Sequence, residues 1–188
     1  MRIQLRLGYL LLGLLLLWSL VAGNHEFLIY AGVTLVLLGF LHWTDNKFHH
    51  YASVLWMFDV WIILHILGGL LVVGGGVLYS YMLISLIGEP YQILKYDQVV
   101  HVYCYFVVAL LVCRIVAQIV RPEISFGVLA LIIVLVACGI GVLNEVVEFI
   151  AVVSLPHTNV GGYENTLLDI VGNLLGALLA VPFFRRFA

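Results

Sequence analysis

Residues 125–153 read SFGVLALIIVLVACGIGVLNEVVEFIAVV, and this stretch decides the fold. From Phe126 to Leu143 it runs through 18 apolar residues without a charge. A helix needs roughly 20 such residues to cross roughly 30 Å of hydrocarbon, so the run reads as a transmembrane helix. Glu145 and Glu148 then interrupt it, three residues apart and therefore neighbours on one helical face.

The rest of the chain has the same character: 64% hydrophobic and 10% charged residues, with a mean hydropathy of +1.18. A soluble domain is excluded. Six apolar segments, about 7–23, 27–43, 54–78, 98–120, 125–153 and 167–184, predict an all-α polytopic membrane helix bundle, a single integral membrane domain over residues 1–188. A net charge of −2 speaks against a nucleic-acid partner, which leaves membrane lipids as the expected surroundings. Cys104, Cys113 and Cys138 fall in apolar stretches and do not form a disulfide pattern. No internal repeat is visible, and the oligomeric state is not encoded in any motif.

Basic residues orient the bundle. With the N-terminus cytoplasmic, Arg2, Arg6, Lys47, Arg121, Arg185 and Arg186 lie inside, Arg114 near them, and Lys95 outside. This predicts an N-in, C-in protein of the cell's inner membrane with outer loops near 24–26, 79–97 and 154–166. The alternative for the first segment is a cleaved signal peptide, because Arg2 and Arg6 precede a leucine-rich run ending Val21-Ala22-Gly23.

That orientation gathers the polar residues. Asp97 and His101, at i and i+4, open the fourth span at the outer face, and Asn144, Glu145 and Glu148 end the fifth there. Asp169 and Asn173 begin the sixth. His65 on the third span would lie about 18 Å below the outer end if that helix runs to residue 78, and could floor a cavity. Ionisable groups in hydrocarbon are functional-site candidates by default.

Each has a structural alternative. Asp97 could cap the fourth helix. Asp169 and Asn173 could be interhelical hydrogen-bonding glue, with Gly172 and Gly176 allowing close approach. The two glutamates are harder to explain so, because like charges on one apolar helix repel unless protonated, metal-bound or paired. Asp59 and Arg114 read as a structural ion pair, and His42, Asp45, His49 and His50 as a solvated interfacial cluster. Gly68, Gly69, Gly74, Gly75 and Gly76 predict close packing or a bend on the third helix. The segment 79–97 is too short and polar to span. Gly88-Glu89-Pro90-Tyr91 marks a turn, and Tyr81 to Ile87 could lie in the interface as a lid over the polar cluster.

Tyr96-Asp97-Gln98-Val99-Val100-His101, Asn144-Glu145-Val146-Val147-Glu148 and the run from Glu164-Asn165-Thr166 through Asp169-Ile170-Val171-Gly172-Asn173-Leu174-Leu175-Gly176 resemble the YjdF family of bacterial inner-membrane proteins. Order and spacing are also similar to the broader VanZ-like set, with its Asp/His helix start, membrane glutamate and closing D-x3-N-x2-G helix. The resemblance covers about residues 60–182 and implies no particular reaction, although VanZ-like proteins are associated with glycopeptide-antibiotic resistance. One departure is Asn165, where the resemblance leads us to expect an aspartate.

Two function classes follow. One is a metal-dependent enzyme acting on a lipid or lipid-linked substrate, in which His101, Glu145, Glu148, Asp169 and, if the third helix bends inward, His65 hold a divalent ion such as Zn, Mn, Mg or Fe. There Glu145, Glu148 and Asp97 are the acid/base candidates, with Asn144 and Asn173 as supporting polar groups. The other is a proton- or cation-coupled transporter, or a non-catalytic lipid- or antibiotic-resistance-type binding protein, using the same carboxylates. Haem ligation by His65 and His101 comes last, since it leaves the acids unexplained.

Overall fold

A computed structural model describes residues 1–188 apart from Pro90 and Pro122. Among the described residues six helices are long and apolar enough to cross a membrane, and the chain is an all-α polytopic bundle. They are α1 (Ile3–Ala22), α2 (His25–Phe48), α3 (Ala52–Leu70), α4 (Tyr96–Ile119), α5 (Phe126–Ser154) and α6 (Tyr163–Ala180), the last extended by a 3-10 turn and a short α7 (Phe184–Phe187). Both termini and the 49–51 and 120–125 connections share one face, the terminal face. The 23–24, 71–95 and 155–162 connections share the opposite, loop face.

Local chemistry sets the ends of these helices. Gly23 adopts φ 64°, its N–H bonding Leu20 O while Asn24 N bonds Ser19 O, which closes α1 in a Schellman turn. Asn24 Oδ1 then accepts Phe27 N at 3.0 Å and caps α2, so two residues reverse the chain.

The third span is shorter than its apolar pattern. It ends at Leu70, not near residue 78, and Val72–Val73 (β1) pairs antiparallel with Gly76–Val77 (β2). Gly74 and Gly75, at φ 64° and 90°, supply the two positive-φ positions that a type I′ hairpin demands. These glycines therefore stop a helix instead of bending one. Among them, Gly68 and Gly69 do mediate packing: a Cβ on Gly68 would stand 2.6 Å from the Tyr79 ring, and one on Gly69 would overlap Phe27.

Met82–Ile87 (β3) pairs antiparallel with Ile93–Lys95 (β4). Ile84, Leu86 and Ile87 point outward, each more than half exposed, and the hairpin meets the polar cluster through Lys95, whose Nζ donates to Asn165 Oδ1 at 3.4 Å. The turn expected at Gly88-Glu89-Pro90-Tyr91 includes Pro90, which lies outside the described residues.

On the terminal face Arg114 does not pair with Asp59. Its Nε donates to Phe48 O (3.1 Å) and His49 O (3.3 Å), and an Nη to Ala188 O (3.1 Å). The long side chain reaches the orphan carbonyls at the end of α2, which a shorter reach to Asp59 would leave unmet. Asp59 is 3% exposed and packs beside Gly8, and its Oδ2 has no hydrogen-bond partner among the described residues.

The neighbouring Asp45 and His50 are buried, not solvated. Arg2 Nε lies 3.2 Å from Asp45 Oδ2 and an Arg2 Nη donates to His50 O at 2.6 Å, tying the start of α1 to the α2–α3 turn. Burial pushes the His50 imidazole down to about 4, against the opposing pull of Asp45. A depressed histidine contributes stability that is complete above its unfolded value near 6.5 and is lost as pH falls through the folded value. Chemical unfolding of the detergent-solubilised protein is therefore expected to become easier between pH 6.5 and 4, and His50→Gln is expected to flatten that slope. Parallel slopes for both proteins would refute the assignment.

Candidate functional site

The site grows from the first turns of α4 and α6 and the last turns of α5. Gln98 Oε1 accepts Leu94 N (2.6 Å) and Lys95 N (3.1 Å) and so closes the start of α4, which leaves Asp97 out of the capping role. Asp97 Oδ2 instead accepts Asn165 Nδ2 at 3.2 Å. The same amide donates to Asp169 Oδ2 at 2.5 Å, so Asn165 holds two carboxyl groups from different helices on one side-chain nitrogen.

His101, one turn beyond Asp97, is 8% exposed. Its Nδ1 bonds Asn173 Oδ1 at 2.9 Å, and because that oxygen only accepts, Nδ1 carries a proton; in the neutral ring Nε2 is then the nitrogen with a lone pair. Asp97 Oδ1 and Glu148 Oε1 stand 3.7 and 4.0 Å from Nε2, beyond hydrogen-bond reach. Glu145 Oε1 lies 3.9 Å from Nδ1. Asn144 Nδ2 donates to Glu148 Oε1 at 2.8 Å and sets its orientation.

Several buried atoms here lack partners. Both oxygens of Glu145, Oδ1 of Asp169 and Nδ2 of Asn173 make no hydrogen bond among the described residues, with Glu145 7% and Asp169 0% exposed. Buried acceptors left unpaired are costly, so they mark a place where a donor or cation belongs. Two sets of ligand atoms each lie within 4.8 Å of one another: Asp97, His101 and Asp169, and His101, Glu145 and Glu148. His101 belongs to both.

Small residues allow these helices to converge. Gly172 faces Gln98 O and His101 Cβ, where an added Cβ would stand 3.2 and 3.3 Å away, and Gly141 leaves room for Asn173.

His65 stands apart from those ligand sets. With α3 ending at Leu70 it lies about 7.5 Å below the helix end, shallower than the longer helix implied. Tyr79 O–H meets its Nδ1 and its carbonyl, and the rings of Phe27, Tyr30, Trp61 and Tyr79 surround it at centroid distances of 5.5–5.8 Å. Burial first, then the nearby Asp97, pushes the Tyr79 phenol well above its ordinary value, so it keeps its proton.

His65 and His101 line one cavity of about 80 Å³ with Asp97 and Glu148. Asn144 and Tyr79 also line it, with three polar groups that the sequence did not single out: Glu26 and Tyr30 from α2, and Asn159 from the 155–162 connection. Glu26 is 6% exposed, accepts Asn159 N and Nδ2 (3.0 and 2.8 Å), and receives the Tyr30 hydroxyl at 3.2 Å. The Glu26-x3-Tyr30 spacing at the loop-face end of α2 was the available signal, since i and i+4 share a helical face.

A family model described as "Predicted membrane protein (DUF2238)" matches residues 4–188. No curated protein and no solved structure matches the chain.

Proposed function

Because the chain belongs to the family of predicted membrane proteins DUF2238, whose description carries no reaction, we propose its function from the site: a divalent-cation-dependent enzyme acting on a lipid or lipid-linked substrate. The membership accords with the YjdF resemblance, and the D-x3-N-x2-G helix adds a VanZ-like affinity to the proposal. The face bearing the termini carries Arg2, Arg6, Lys47, Arg114, Arg121, Arg185 and Arg186 against Lys95 on the other. That bias supports N-in, C-in placement in a bacterial inner membrane, with the site near the outer interface.

The observation that carries the reading is Glu145, with both oxygens unpaired at 7% exposure and Oε1 3.9 Å from His101. Ligands about 2.1 Å from one ion stand at most about 4.2 Å apart. The 3.7 and 4.0 Å separations of Asp97 and Glu148 from His101 Nε2 fall inside that limit, and Glu145 joins His101 and Glu148 in a set of ligand atoms within 4.8 Å of one another. Carboxylate oxygens with one imidazole suit Zn, Mn, Mg or Fe.

Such an ion would supply a Lewis acid and make a bound water more acidic. The chain's own residues do the rest. Asn173 holds His101 Nδ1 so that Nε2 of the neutral ring would be the atom offered to an ion, a second partner of the kind that orients metal-bound histidines. Asn165 holds Asp97 and Asp169 together, and Asn144 aims Glu148, the candidate base for a water proton.

Elemental mass spectrometry of the detergent-purified protein tests this. Near-stoichiometric divalent metal is expected in the wild type, falling at least tenfold in Glu145→Gln and in His101→Ala. A folded wild type that stays metal-free after incubation with Zn, Mn, Mg and Fe in turn would end the proposal.

A further inference from the structure

We infer that the cavity beside the cation site takes an alkylammonium group, the amine end of a lipid head group or of a soluble amine. The inference rests on the proposed function only in taking this cavity as the ligand site.

The wall chemistry points to a cation with an organic stem. Three carboxyl side chains, Glu26, Asp97 and Glu148, line the cavity, and none of the described lining residues is lysine or arginine. A bare anionic group would meet acids without a basic partner, and an apolar tail would cover them without satisfying them. Four aromatic rings, Tyr30, Trp61, Tyr79 and Tyr105, stand among the other lining residues. Aromatic surface opposite carboxylates suits an ammonium group, which gains cation–π attraction on one side and charge-assisted hydrogen bonds on the other.

His101 lines the cavity at 8% exposure, and its Nε2 makes no hydrogen bond among the described residues. An ion on Nε2 and an ammonium among the rings can coexist, because the acids outnumber the charge of one divalent ion.

Size limits the ligand. A cavity of about 80 Å³ suits an ammonium and its first carbons better than a whole head group. Asn159 and Val160 close the cavity from the 155–162 connection, so its mouth belongs to the loop face, where head groups lie.

Calorimetric titration of the full-length, detergent-purified protein with ethylammonium chloride, at constant ionic strength, tests the inference against ethanol as a neutral analogue. Saturable ethylammonium binding at least tenfold tighter than ethanol is expected. Trp61→Leu is expected to weaken it about tenfold, while Trp61→Phe, which retains a ring, stays within about threefold of wild type. Should Trp61→Leu fail to fold, Glu26→Gln serves, with a loss of about fivefold expected. Equal affinity for ethanol, no ethylammonium binding, or a binding constant unchanged in every folded variant among these overturns the proposal.

Nanodiscs separate the sources: weaker apparent ethylammonium binding with ethanolamine-headed than with glycerol-headed lipid supports a lipid amine, and unchanged binding supports a soluble one. Metal is measured on the same samples. Bound metal without ammonium binding sinks this inference alone, whereas ammonium binding without metal sinks the cation-dependent reading alone.

Discussion

Gly176→Ala is expected to lower the unfolding free energy in detergent by about 3 kcal/mol and to empty the cation site. A Cβ at residue 176 would run into the Val102 carbonyl oxygen and stand 2.9 Å from Phe106 N, both on the backbone of α4. A side chain can rotate away from such an intrusion, but a helix backbone cannot. The two helices must part, and Gly172, already tight against Gln98 O, offers no slack one turn earlier. The His101–Asn173 hydrogen bond spans this seam, so separation misaims the imidazole as well. Gly139→Ala on α5 is the control: beyond its own stretch of helix no atom of the described residues lies within 4 Å of the added Cβ, and the gain in helix propensity leaves stability equal or slightly higher. Denaturant titration with metal analysis checks both outcomes, and a Gly176→Ala protein of wild-type stability and metal content would contradict the packing.

Asn165→Asp is expected to make folding depend on divalent metal. The native amide gives one N–H to Asp97 and another to Asp169, the latter fully buried. An aspartate removes both donors and adds a third carboxyl group, so a loss of about 2–3 kcal/mol is expected in chelator. Added Mn is expected to restore it and to bind about tenfold more tightly than in the wild type, because charge count in the ligand set raises affinity for hard cations. Asn165→Ala separates the two effects, since it loses the donors and gains no ligand. An Asn165→Asp protein as stable as wild type in chelator would show that the amide does not hold the carboxylates together. The resemblance to YjdF proteins led us to expect an aspartate here, so this substitution also asks what this chain's asparagine changes.

Much of the site was legible because helical spacing is rigid. Asp97 with His101, Glu145 with Glu148 and Asp169 with Asn173 had to share faces, and alternating spans had to bring those faces to one side of the membrane. The partners of these residues were not legible. Asn165 reads as loop polarity until α6 begins at Tyr163 and carries it beneath Asp97, and Glu26 falls in the expected outer loop near 24–26 until α2 takes it in and Asn159 folds back onto it. Arg114 and Asp59 seemed matched by depth, but depth says nothing of direction around the helix, and the guanidinium found carbonyls at the end of α2.

Hydrocarbon thickness and the backbone's need for internal hydrogen bonds made the number of helices, their alternation and the gathering of the acids toward one end of the bundle readable from the order of residues alone. Hydropathy could not end the third helix, because Val72, Val73 and Val77 are as apolar as the helix they follow; the positive φ of Gly74 and Gly75 ended it. Nor could a linear pattern close the 80 Å³ cavity, whose walls come from α2, α3, α4, α5 and two connections. Contacts between distant segments depend on how side chains of particular volume pack, and glycines such as Gly172 and Gly176 act only through the backbone that each one meets.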